Sequence, residues 1–135
     1  MANNIIQFKD FSPKSSQQFI FDTNVWMFLY CPLGDFKKEK QQNASKLLSY
    51  IISAQSKIII TSLILAEFSN AFLRLDFEQW RKLPENISGK FKKDYFETNR
   101  SKETRNTIES SIKQILRIAE RYPDNFNNIK GISKN

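Results

Sequence analysis

Apolar residues in this chain come in short blocks between polar stretches, and the spacing within each block changes along the sequence. Residues 1–17, with Pro13 and Ser15–Ser16, read as a polar arm of low structural commitment. Phe19–Ile20–Phe21 is a compact apolar run that ends at Asp22, a pattern suited to a buried strand. Val25 to Tyr30 follows at once and is nearly all apolar, while Asp22, Thr23 and Asn24 are good turn and cap residues. The prediction is strand, tight turn, helix, with Pro32–Leu33–Gly34 as the stop. After a polar stretch, Ala44, Leu47, Leu48, Ile51 and Ile52 recur at offsets of 3, 4, 7 and 8, which is one helical stripe. Ile58–Ile59–Ile60, three β-branched residues in a row, predict a second buried strand. Thr61–Ser62 can cap a third helix, whose stripe of Ile64, Phe68, Ala71, Phe72 and Leu75 runs to about Trp80.

Residues 81–105 hold eight basic and four acidic side chains, a local balance of +4, together with Gly89. They read as a loop plus a polar helix start. Ile108, Ile112, Ile115, Leu116 and Ala119 restore a helical face from 106 to about 122, closed by Pro123. The tail from Asp124 to Asn135 shows no clear element, and no internal repeat is visible. The order predicts an α/β fold with parallel strands joined by right-handed helical crossovers. Residues 18–135 then form a single domain behind the arm. Sheets of this kind bind ligands at the carboxyl ends of their strands.

Composition narrows the chemistry. The 135 residues carry 21 Lys and Arg against 14 Asp and Glu, a formal net charge of +7 that favours polyanionic partners. Histidine is absent, which excludes an imidazole base and every His-containing zinc site. The lone cysteine, Cys31, allows no internal disulfide, fits a reducing compartment, and reads as a small apolar residue at a helix end. With three glycines the chain has no glycine-rich phosphate loop. The first 18 residues contain no long apolar core, and the longest apolar stretches fall far short of a membrane span. A soluble cytoplasmic protein with no membrane association is expected.

Two carboxylates remain as candidate chemistry. Asp22 ends an apolar strand; it can cap the following helix, or it can hold a cation. Glu67 lies in Leu63–Ile64–Leu65–Ala66–Glu67–Phe68, on an early helical turn, where it can balance the helix dipole. Its apolar neighbours predict a position against the core. Each lies just past a parallel strand, so both point toward one crevice. Two like charges that close call for a divalent cation, and oxygen ligands suit Mg²⁺ or Mn²⁺. In a basic protein such a metal points to phosphodiester hydrolysis by an activated water.

At these residues the sequence resembles the PIN-domain family. Phe19–Ile20–Phe21–Asp22–Thr23–Asn24 is similar to the family's first strand and first acidic residue. Ile60–Thr61–Ser62–Leu63–Ile64–Leu65–Ala66–Glu67–Phe68, continuing to Leu73–Arg74, is similar to its second strand and the helix bearing the second acidic residue. The resemblance covers residues 18 to about 76. It implies an α/β/α sandwich around a parallel sheet, helix-rich, with three or four acidic residues holding Mg²⁺ or Mn²⁺. It also implies endoribonuclease activity, with Asp22 and Glu67 as catalytic metal ligands. Many members are toxins of bacterial toxin–antitoxin pairs, so an RNA substrate, an antitoxin partner and a homodimer are the implied partners.

The chain departs from the family in its second half. Residues 77–135 show no apolar strand, and neither Asp94 nor Asp124 follows one. The expectation is that the C-terminal strands and the remaining acidic ligands lie beyond residue 135. The alternative to the enzyme is then a catalytically incomplete module or fragment that binds RNA or a protein without cleaving. The basic stretch, with Phe91, Tyr95 and Phe96 interleaved, could track an RNA backbone and stack bases, or could be a solvated face with a few core aromatics. A plain helical interaction protein, with both apolar runs helical, is the third reading.

Overall fold

The computed structural model describes residues 12–33 and 36–122. Three strands, β1 (Gln18–Ile20), β2 (Lys57–Thr61) and β3 (Glu120–Tyr122), form a parallel sheet in the order β1-β2-β3. Paired strands set aside the all-helical reading. Lys57, Ile58 and Ile59 stand opposite Gln18, Phe19 and Ile20, while Ile59, Ile60 and Thr61 stand opposite Glu120, Arg121 and Tyr122. The central strand is the isoleucine run. Successive side chains point to opposite faces, and Ile58, Ile59, Ile60 and Thr61 are all buried, so both faces of β2 are covered.

Between β1 and β2 run α1 (Thr23–Tyr30) and α2 (Lys38–Ser53). Helix α1 drives Trp26 and Met27 into the core, where the Trp26 ring lies 5.1 Å from Phe21. Helix α2 buries Ala44 and Ile51 and half-buries Leu47 and Leu48. Ile52 of the same stripe is 49% exposed. At about 100° per residue it sits roughly 80° round the helix from Ala44, at the edge of the apolar face. The helix ends in a Schellman motif: the Ser56 amide donates to Ile51 and the Gln55 amide to Ile52. Gln55 occupies the left-handed position at φ 58°.

Helix α3 (Ser62–Arg81) packs against α1, β2 and α4 (Asn99–Ile118). Thr61 caps α3 by accepting from the Ile64 amide, and Thr98 caps α4 by accepting from the Ser101 amide. The segment between these helices is more ordered than its composition predicts. A 3₁₀ turn (Pro84–Asn86) leads to one turn of π-helix (Phe91–Tyr95). Gly89 lets the chain cross the Trp80 ring; a Cβ there would lie 2.5 Å from it. Tyr95 is fully buried, with Phe77 and Trp80 at ring distances of 5.4 and 5.5 Å.

The expectation of a helix to about residue 122, with no strand in the second half, is corrected. Helix α4 stops at Ile118, and β3 follows at once. The strand escapes sequence detection because Glu120–Arg121–Tyr122 has no apolar run. It is a three-residue edge strand whose pairing comes from the backbone. Within the expected polar arm, the Gln17 amide closes a turn onto Lys14, and the Lys57 amide donates to Gln17, tying the turn to the sheet. Asp124 and the tail lie outside the described residues, as do residues 1–11 of the arm. No helix among the described residues is long and apolar enough to cross a membrane.

Candidate functional site

Asp22 leaves the end of β1, and its Oδ1 accepts from the Val25 amide at 3.1 Å. The carboxylate therefore caps α1 while remaining exposed at the sheet's carboxyl edge. Glu67 sits on the second turn of α3, also past a strand end. It is exposed, not held against the core as its neighbours predict. The inward face of that turn is Leu65 and Phe68; Leu63 and Ala66 share the outward side with Glu67.

A side-chain hydrogen bond ties the two segments together. The Thr23 hydroxyl donates to Glu67 Oε1 at 2.9 Å, across 44 positions of sequence. The residue beside Asp22 thus holds Glu67, and both carboxylates belong to one polar edge. Asp22 Oδ2 and Glu67 Oε2 have no protein donor among the described residues. Hard oxygen donors of this kind suit Mg²⁺, which binds through one or two carboxylates and keeps several waters. Among the described residues there is no cluster of three or more acidic, His or Cys side chains. Asp22 and Glu67 are therefore the acidic pair at this edge. Asp94 does not join it: its Oδ2 accepts from the Lys90 amide at 2.7 Å, closing the π-turn.

Beside Asp22 a cleft of about 430 Å³ opens between α1 and α2. Val25, Phe28 and Leu47 wall it, and Asn24, Asn43 and Lys40 stand at its rim. At the same end of the sheet, Arg121 of β3 donates to the Ser62 hydroxyl from Nη2 at 3.0 Å and from Nε at 3.2 Å.

The basic stretch divides. Tyr95 belongs to the core, and Phe91 packs on Phe77 at 5.2 Å, so neither is a free stacking platform. Arg74 covers Phe91 and Arg105 covers Phe96, each guanidinium 3.9 Å from the ring centre. Sequence reasoning passed over Asp76. This buried carboxylate receives the Tyr95 hydroxyl at 2.6 Å, the Thr104 hydroxyl at 2.9 Å and the Arg100 guanidinium at 2.9 Å. Its signal was one acid in the row Phe68, Phe72, Asp76, Trp80, spaced by four along the apolar face of α3. Burial alone would raise its pKa. Hydrogen bonds from Arg100, Tyr95 and Thr104, together with the Arg100 charge, outweigh that and hold it below the ordinary carboxylate value.

Comparison with protein-family models, curated proteins and solved structures returned no match.

Proposed function

We propose that this protein is a Mg²⁺- or Mn²⁺-dependent endoribonuclease of PIN-like architecture, acting as the toxin of a toxin–antitoxin pair. The observation that carries the reading is the Thr23–Glu67 hydrogen bond. It joins the two carboxylate-bearing segments at the carboxyl edge of a parallel sheet, where such folds bind ligands. Asp22 and Glu67 would hold the metal, and the Thr23 hydroxyl fixes the rotamer of Glu67. A bound divalent ion supplies Lewis acidity toward a phosphate oxygen and an acidified water at neutral pH. That chemistry needs no imidazole, consistent with a chain that has no histidine. The net charge of +7 favours a polyanionic substrate. An antitoxin and a homodimer belong to the same proposal.

A second reading has its own support. Two carboxylates without a third acidic neighbour among the described residues favour a module that binds RNA without cutting it.

The deciding experiment is a calorimetric Mn²⁺ titration beside Asp22→Asn and Glu67→Gln, followed by RNA cleavage assays. Metal binding should weaken at least about tenfold in each variant, and cleavage should fall at least about a hundredfold. Full cleavage in both variants would sink the enzyme assignment. Salt-sensitive RNA binding in a wild type that never cleaves would establish the second reading.

A further inference from the structure

The cleft between α1 and α2 has a composition that its helix-packing role does not account for. Its walls are the half-buried side chains of Val25, Phe28 and Leu47. Its rim holds two exposed carboxamides, Asn24 and Asn43, and the exposed ammonium of Lys40. Phe28 is braced edge-on by Phe36, with ring centres 5.1 Å apart at 81°. A purely apolar ligand would leave both carboxamides without use, and a simple anion would leave the aromatic wall without use. A nucleotide matches all three parts. Its base has an apolar face for Phe28, its edge has donors and acceptors for the carboxamides, and its phosphate is an anion for Lys40. At about 430 Å³ the cleft lies toward the small end of ligand sites, a size that suits one nucleotide.

Charge on α2 points the same way. Lys37, Lys38, Lys40 and Lys46 are all exposed on or beside this helix, with Glu39 as its single acid. A strand of RNA leaving the cleft would run along a cationic helix. Asp22 lines the cleft as well, so a nucleotide seated there adjoins the proposed metal site.

We infer that this cleft is a base-binding subsite, taking one unstacked nucleotide next to the bond to be cut. Asn43 and Asn24 read the base edge, Phe28 packs on its face and Lys40 neutralises its phosphate. The assignment as an RNA subsite rests on the ribonuclease reading; the nucleotide site itself does not.

The test uses the full chain in EDTA, titrated with each of the four nucleoside 5′-monophosphates and followed by amide chemical shifts. At least one nucleotide should bind saturably, with shifts centred on α1 and α2. Lys40→Ala should weaken it about tenfold, and Asn43→Ala should flatten the preference among bases. Lys113→Ala, on the exposed face of α4 and outside the cleft, serves as the charge control and should bind as the wild type does. No saturable binding by any of the four would overturn the inference. So would Lys40→Ala and Asn43→Ala behaving like Lys113→Ala. With no metal present, either failure leaves Mn²⁺-dependent cleavage untouched. Conversely, nucleotide binding in a wild type that never cleaves removes the enzyme reading and keeps the site.

Discussion

Asp76 shows how much a single side chain can settle. It is 3% exposed and lies on a helix face otherwise made of Phe68, Phe72, Phe77 and Trp80. Unpaired, a carboxylate there would cost several kcal/mol. Arg100, Tyr95 and Thr104 pair it, and in doing so fasten the π-turn and the first turns of α4 onto α3. Asp76→Asn should destabilise the fold by about 3 kcal/mol in urea titrations, the low end for a broken buried pair. The Arg100 side chain is 39% exposed and keeps part of its solvation, which is why the low end applies. The pH dependence has a definite sign. The folded pKa of Asp76 is depressed, so its contribution is fully present above the ordinary value of 3.8 and is lost as pH falls through the lower folded value. The stability gap between wild type and Asp76→Asn should therefore narrow below about pH 4. A constant gap from pH 6 to 3 would show that the carboxylate charge is not what stabilises the node. Tyr95 works in the opposite direction. Burial and the Asp76 carboxylate raise its pKa, so its contribution fades as pH climbs above 10.0.

At the scale of elements, caps and turns explain where helices begin and end. Asp22, Thr61 and Thr98 each accept from an amide three residues on, and all three helices start where those residues stand. Helix α2 ends on a left-handed residue that is not glycine. Gln55→Gly should raise stability by about 0.5–1 kcal/mol, because Gln55 adopts φ 58° against the preference of its Cβ. A fall in the urea midpoint would mean that the Gln55 side chain makes a compensating interaction. Gly89→Ala should do the reverse. Its Cβ would meet the Trp80 ring at 2.5 Å, and Trp80 is packed among Phe77 and Tyr95 with little room to shift. A loss of about 1–3 kcal/mol is expected by chemical denaturation, the usual cost of overpacking. An unchanged midpoint would show that the 3₁₀ turn moves freely away from Trp80.

At the scale of the whole molecule, the net charge is distributed unevenly in its uses. Arg100 is committed to Asp76, Arg121 to Ser62, and Arg74 and Arg105 to aromatic rings. The exposed lysines of α2 are the better candidates for a polyanion. If RNA crosses that helix and touches two to four phosphates, log K should fall against log salt with a slope of about −1.4 to −2.8. A flat salt response would count against any RNA partner and shift attention to a protein one.

Much of this architecture is local, and the sequence by itself determined it. The three consecutive β-branched residues of the isoleucine run favour a strand covered on both faces. The period of α2 and α3 and the Asp22 and Thr61 caps depend on neighbours within a few residues. Asp22 and Glu67 were legible as candidates for the same reason, since each follows an apolar strand. Three things were decided only by the tertiary structure. Strand β3 has no apolar signature and exists because β2 offers an unpaired edge. Tyr95 and Phe91 look like surface aromatics among lysines, yet Phe77 and Trp80 draw them inward. The meeting of Thr23 with Glu67 spans two elements, and no periodicity within either one encodes it. Local pattern sets what each segment prefers to be; which segments meet is a matter of burial and backbone pairing over long range.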